Sequence, residues 1–258
     1  MCPNCQMPVN LVLMKNTYRF FVSPASFSGD DVCVHDAELA RQLGRVLRLR
    51  LGDHVLMLDG QGDACEVEIT DLGRDLVRGR VLQREPAAEP TLDLTLYVAL
   101  LRPERFEWVL QKGTELGVRR FVPVHFARSL PTDHADGRKI ERWQRIIREA
   151  AEQSCRGRVP ELDSPLSVSA ACAAACTAAL PIILWEGQAP SLREILRRPG
   201  PPPATVAILS GPEGGIAPDE LTAAEARGIM PVSLGSRVLR AETAPIAAAA
   251  AICYEFDR

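Results

Sequence analysis

Leu209-Ser210-Gly211-Pro212-Glu213-Gly214-Gly215 ends the apolar run Thr205-Val206-Ala207-Ile208-Leu209, and reading this junction of strand and glycine loop decides the fold. A short, continuous apolar run closed by Gly and Pro reads as a buried strand. A second such unit follows, Met230-Pro231-Val232-Ser233-Leu234 leading into Gly235 and then Leu239-Arg240-Ala241-Glu242-Thr243-Ala244. Glycines just past a strand end let bare N–H and C=O groups approach a ligand that a Cβ would hold off. The two loops together read as a binding crevice at strand carboxyl ends. Gly-Pro and Gly-Gly pairs also mark ordinary surface turns, so neither loop decides the matter alone.

Working outward, 258 residues can hold one large domain or two smaller ones with ample core, and the change of character along the chain favours two. Arg84-Glu85-Pro86-Ala87-Ala88-Glu89-Pro90 is charged and Pro-containing and reads as the linker. Before it, runs such as Val55-Leu56-Met57-Leu58 and Val77 to Leu82 alternate with Gly-Asp and Asp-Gly turns, the pattern of a small β-barrel. Behind it lie the long helical patterns. Arg138 to Arg156 places Ile140, Trp143, Ile146, Ile147, Ala150 and Ala151 on one stripe, with Gln153 and Arg156 at an exposed end. Pro103 to Gly117 predicts an earlier helix with Gly117 as its stop, and Lys112 near Glu115 on its surface. Ala170 to Ala179 predicts a small-residue helix with Cys172 and Cys176 on one face, and Pro199 to Pro203 a stiff connector. A last helix is expected from Thr243, capped by its hydroxyl, with Pro245 in the first turn.

The net charge of -3 argues against a protein that coats nucleic acid unselectively. The charge is uneven: Ala99 to Pro160 carries 13 Lys and Arg against 8 Asp and Glu, whereas residues 161–258 carry 7 against 11. The basic middle is the candidate phosphate-facing surface, although such a stripe is also an ordinary solvated helix face. Eight scattered cysteines, with neither a signal peptide nor a membrane-length apolar run, read as reduced thiols in a cytoplasmic protein. Cys2-x-x-Cys5 lacks a second ligand pair for zinc, so no metal is expected and residues 1–17 read as a disordered leader.

The motifs GPEGG (Gly211 to Gly215), Leu234-Gly235 and LRAETA (Leu239 to Ala244) resemble the cofactor site of the SPOUT methyltransferases. Within that class the chain resembles the small-subunit ribosomal RNA uridine N3 methyltransferase family. Further matches are KGTELGV at Lys112 to Val118, then Pro123, Arg128-Ser129, EAAEQSCR at Glu149 to Arg156 and Val159-Pro160. Arg19 to Val22, His35, Val46 to Arg48, Gly52-Asp53 and Asp59-Gly60 extend the resemblance toward the amino terminus. One departure stands at Ile216-Ala217, where the family has an aromatic and a small polar residue.

The resemblance implies an α/β protein: a PUA-like β-barrel over 18–86 for RNA placement and a SPOUT trefoil-knot domain over 91–258 that binds S-adenosylmethionine (SAM). It implies a homodimer that acts on 16S ribosomal RNA, within the small ribosomal subunit, with no membrane partner. Cofactor contacts are expected from Leu184, Glu186, Gly211, Glu213, Gly215, Leu234, Gly235, Leu239 and Thr243. Uracil N3 carries a proton at neutral pH, so its methylation requires a base or a cation that stabilises the uracil anion. Arg240 and Glu242 are the expected catalytic pair, Arg240 stabilising charge on the uracil oxygens and Glu242 orienting it or accepting the proton. An adjacent Arg and Glu before a helix also form an ordinary ion pair. RNA contacts are expected from Arg19, His35, Arg45, Arg48, Arg102, Lys112, Arg128, Gln153 and Arg156. Rival readings keep the fold with ribose 2'-O or another target position, or keep RNA binding without catalysis.

Overall fold

The computed structural model describes residues 18–87, 89–129 and 137–257, so the expectations for Cys2, Cys5 and the leader lie outside the described residues. The chain divides into two units. One takes residues up to Ala88 together with Cys155–Arg158, and the other takes Glu89–Ser154 and Val159–Arg258.

In the first unit the strands are β1 (Arg19–Phe21), β2 (Phe27–Ser28), β3 (Asp31–His35), β4 (His54–Leu58), β5 (Asp63–Leu72) and β6 (Leu76–Pro86). Helix α1 (Ala37–Arg41) runs on into a π-helical turn over Gln42–Val46. The sheet order is β1-β4-β5-β6-β3-β2, antiparallel except where β1 lies parallel to β4. Alternation is clearest in β3, where Val32 and Val34 point into the core and Asp31, Cys33 and His35 face out, as a half-buried strand requires. Arg84, Glu85 and Pro86, read from composition as linker, are the last residues of β6 and pair with Cys65, Ala64 and Asp63. Arg84 and Pro86 are exposed while Glu85 between them is half-buried, and a proline at the last ladder position sacrifices little hydrogen bonding. The connection is therefore shorter than the sequence suggests.

The second unit is a seven-stranded parallel sheet. Its elements run β7 (Asp93–Ala99), α2 (Pro103–Glu115), β8 (Arg120–His125), α3 (Gly137–Gln153), β9 (Glu161–Leu162), β10 (Leu166–Ser167), α4 (Val168–Ala175) and β11 (Leu180–Leu184). Then follow α5 (Leu192–Leu196), β12 (Thr205–Ser210), α6 (Pro218–Glu225), β13 (Met230–Val232) and α7 (Thr243–Phe256). The order is β10-β8-β7-β12-β11-β13, with β9 also on β8. Strand β12 thus lies between two strands that precede it in the chain.

A parallel sheet needs cover on both faces, and its strands read as unbroken apolar runs. Here α2 packs with α7, and α7 lies on β7 and β12, while α4 packs with α6 and lies on β8 and β12. Val206, Ala207, Ile208 and Leu209 are each at most 2% exposed. Helix α2 starts at Pro103 and stops at Glu115, and just past its cap Gly117 turns the chain with a φ of 95° that only glycine adopts without strain. Helix α3 lays Trp143 against Phe106 with ring centroids 4.4 Å apart, and Arg142 grips Glu107 of α2 through two nitrogens at 2.6 and 2.8 Å. Burying Phe106 contributes about 2–3 kcal/mol.

Candidate active site at the strand carboxyl ends

Three parallel strands, β11, β12 and β13, end side by side at Leu184, Ser210 and Val232, and a cavity of about 590 Å³ opens there. This is the position that the topology of an open α/β sheet favours for a ligand. The loop Gly211–Gly215 forms one wall, and Leu234–Ala241 forms the other. Leu184, Ile216, Val232 and Leu239 supply apolar surface, while Glu186, Glu213, Arg105 and Arg240 supply charge.

The backbone of the first loop is shaped by its neighbours. A methyl added at Gly211 would lie 2.5 Å from Ile216 Cγ1, so only a bare backbone fits over the buried Ile216. Gly215 turns with φ 73°, and a Cβ there would lie 3.0 Å from Glu186 Oε1. Arg128 Nη1 donates to the Gly214 carbonyl at 3.2 Å. Glu220 anchors the loop at its far end: one carboxylate oxygen accepts from the Ala217 N–H at 3.0 Å, the other from the Ala127 N–H at 2.7 Å. In the second loop Gly235 has φ 114°, with open space where a Cβ would stand.

The charged groups form one connected set. Arg105, in the first turn of α2, reaches Glu213 through Nη1 at 3.0 Å and Glu242 through Nε at 3.8 Å. Arg240 Nη1 lies 3.9 Å from the same Glu242 oxygen, Oε1. Glu242 is only 14% exposed, and its second oxygen, Oε2, is buried without a hydrogen-bond partner. Arg240 is 78% exposed at the cavity mouth.

Of the nine cofactor residues expected from sequence, the structure brings Leu184, Glu186, Gly211, Glu213, Gly215, Leu234, Gly235 and Leu239 to this one cavity. Thr243 is not among the lining residues, nor does it cap α7. It is the first helical residue, and Glu242 holds the cap position, because the Thr243 and Ala244 N–H groups both bond the Arg240 carbonyl. Arg240 lines the cavity, whereas Glu242 does not and instead holds the two guanidinium groups.

The expected RNA-facing residues are more dispersed. His35, Arg45 and Arg48 are exposed on the first unit, and Arg19 is half-buried there. Arg102 and Gln153 are exposed on the second, and Lys112 is paired with Glu115 at 2.7 Å. Arg156, expected at an exposed helix end, is 6% exposed. The helix stops at Gln153, and Arg156 belongs with the first unit, so its guanidinium is not presented to solvent. Sequence reasoning missed Arg105. One signal was available, since a cation in a helix's first turn opposes the helix dipole and requires a compensating anion.

A family model described as an RNA methyltransferase domain matches residues 88–253, and one described as an RNA methyltransferase PUA domain matches 38–82. A Ribosomal RNA small subunit methyltransferase E from Synechocystis is 37% identical over 91% of this chain and 77% of the relative. The same enzyme from Bacillus subtilis is 30% identical over 85% of this chain and 89% of the relative. Among solved structures, the Neisseria gonorrhoeae methyltransferase E bound to S-adenosyl methionine superposes with a TM-score of 0.80 at 31% identity, covering 92% of this chain and 97% of that one. A putative methyltransferase of Legionella pneumophila in complex with SAM gives 0.81 at 29% identity, with the same coverage.

Proposed function

The chain belongs to the ribosomal RNA small subunit methyltransferase E family, and from that premise we propose that it methylates N3 of a uridine in 16S ribosomal RNA, using SAM. The observation that carries this reading is the cavity itself: two glycine loops at three strand ends, bordered by a coupled Arg-Glu-Arg set. The residues present suit SAM. Bare backbone at Gly211 to Gly215 and Leu234 to Leu239 offers hydrogen bonds without side-chain obstruction, Leu184, Ile216 and Val232 offer an apolar slot, and Glu186 and Glu213 favour a cationic ligand.

SAM supplies a methyl group on a sulfonium that is already a good leaving group. The protein's part is alignment, exclusion of water and management of the uracil proton. Arg240, exposed at the cavity mouth, stabilises the negative charge that develops on the uracil oxygens. Glu242 holds Arg240 in that direction, and this orienting role is the one its geometry supports, since it does not itself line the cavity. The target base must leave its stack to enter, which favours a single-stranded or loosely paired nucleotide.

The unit carrying His35, Arg45 and Arg48 positions the RNA through phosphate contacts that fix register, with Arg19, Arg102 and Gln153 as further contacts. Lys112 and Arg128 act there only to the extent that Glu115 and the Gly214 carbonyl release them. The insertion of β12 between β7 and β11 supports the trefoil-knot topology, and α7, with its partly exposed alanines and Tyr254, is the surface for a homodimer.

Nucleoside mass mapping of small-subunit ribosomal RNA, from cells lacking the gene and after treatment with purified protein and SAM, tests the function. Loss and restoration of a single N3-methyluridine is expected. Restoration of a ribose-methylated nucleoside instead would overturn the target assignment. In the same assay Arg240→Ala and Glu242→Gln should lower the methylation rate roughly a hundredfold and tenfold respectively, with SAM affinity kept in Arg240→Ala. Wild-type rates in both would remove them from the mechanism.

A further inference from the structure

We propose that Arg105 is a positioning residue that ties the two cofactor loops together and so sets the width of the cavity between them. The proposal rests on the reading of this cavity as the SAM site. Arg105 is the first cation after Pro103 in α2, a helix fixed by Phe106 and Leu110 in the core at 1% and 0% exposure. Its guanidinium therefore projects from a rigid support. Nη1 meets Glu213 Oε1 of the first loop at 3.0 Å, and Nε lies 3.8 Å from Glu242 Oε1 at the end of the second. Among the described residues no backbone hydrogen bond joins the two segments that carry these carboxylates, and Arg105 lines the cavity between them.

The chemistry of the fork matters. A planar guanidinium serves two carboxylates in two fixed directions, whereas a lysine ammonium on a flexible stem serves them as a point charge. Without the cation, Glu213 and Glu242 become like charges on facing loops, and repulsion moves the loops apart. Arg240 cannot substitute, because it reaches only Glu242 and is 78% exposed. Two different backbones are thereby held against one side chain on the helix between β7 and β8.

The test compares the full chain with Arg105→Met, Arg105→Lys and the double variant Arg105→Met/Glu213→Gln. Amide hydrogen exchange is read without SAM, and SAM affinity by calorimetry. In Arg105→Met, amides of Gly211 to Gly215 and of Leu239 to Glu242 should exchange roughly tenfold faster, with β7 and β8 unchanged. SAM affinity should fall roughly tenfold. Arg105→Lys should recover part of both losses, and the double variant, with one carboxylate neutralised, should show a smaller acceleration of exchange in the two loops than Arg105→Met alone. Unchanged exchange in both loops, or a change in one loop only, overturns the tie. If the wild-type protein fails to bind SAM, the cofactor reading falls, and the exchange comparison still decides whether Arg105 joins the loops.

Discussion

Gly211 shows how much of the site depends on the absence of an atom. A Cβ there would sit 2.5 Å from Ile216 Cγ1, well inside contact distance, and Ile216 is 3% exposed and has nowhere to retreat without moving the loop. Gly211→Val should therefore cost at least about tenfold in SAM affinity, by calorimetry, while the far-ultraviolet circular dichroism spectrum is kept. Undiminished affinity would remove this loop from the cofactor site. That Gly211 borders a cavity was legible in the sequence, because a glycine after an apolar run is a local signal. The role of Arg105 was not, because its partner Glu213 lies 108 positions further along the chain. Glu242 shows the intermediate case: its type and its neighbour Arg240 were visible, but its withdrawal from the cavity depends on where α7 begins.

At the scale of elements, helix α6 carries the mark of the chain's departure at Ile216-Ala217. Ala217 occupies the cap position with φ -77° and ψ 147°, yet has no side-chain oxygen for the first free N–H groups. Glu220 supplies only the return half of a capping box, accepting from the Ala217 N–H at 3.0 Å. Ala217→Ser should raise the stability of the protein by about 1 kcal/mol in denaturant unfolding. No gain would mean that the hydroxyl cannot reach the helix amides at this 8% exposed position. Strands β12 and β13 were readable as short apolar runs closed by turn residues, and helices α2 and α3 from their apolar periodicity. The end of β6 was not. Arg84-Glu85-Pro86 has loop composition, and pairing with β5 overrides it. Within α4, expected as a helix, burial pushes the Cys172 thiol's pKa up, as suits a packing group.

For the whole molecule, the proposed assembly has a direct consequence. Tyr254 is 90% exposed on α7, and the helix presents alanines that are only partly covered. Sedimentation should give twice the 28.2 kDa chain mass, and Tyr254→Arg should shift the population toward monomer. A monomeric wild-type protein would refute the dimer. Neither the proposed dimer nor the proposed threading could be read from composition, because both would be properties of arrangement between distant segments. The place of β12 has a further consequence, for the protein during its synthesis. Asp93 of β7 pairs with Thr205 of β12, so the edge that will receive β12 is made long before its partner. At ribosomal speed that interval is on the order of ten seconds. The nascent chain must keep an apolar strand edge unfilled throughout it, and the cavity, whose lining runs from Arg105 to Ala244, comes into being only after Ala244 has emerged.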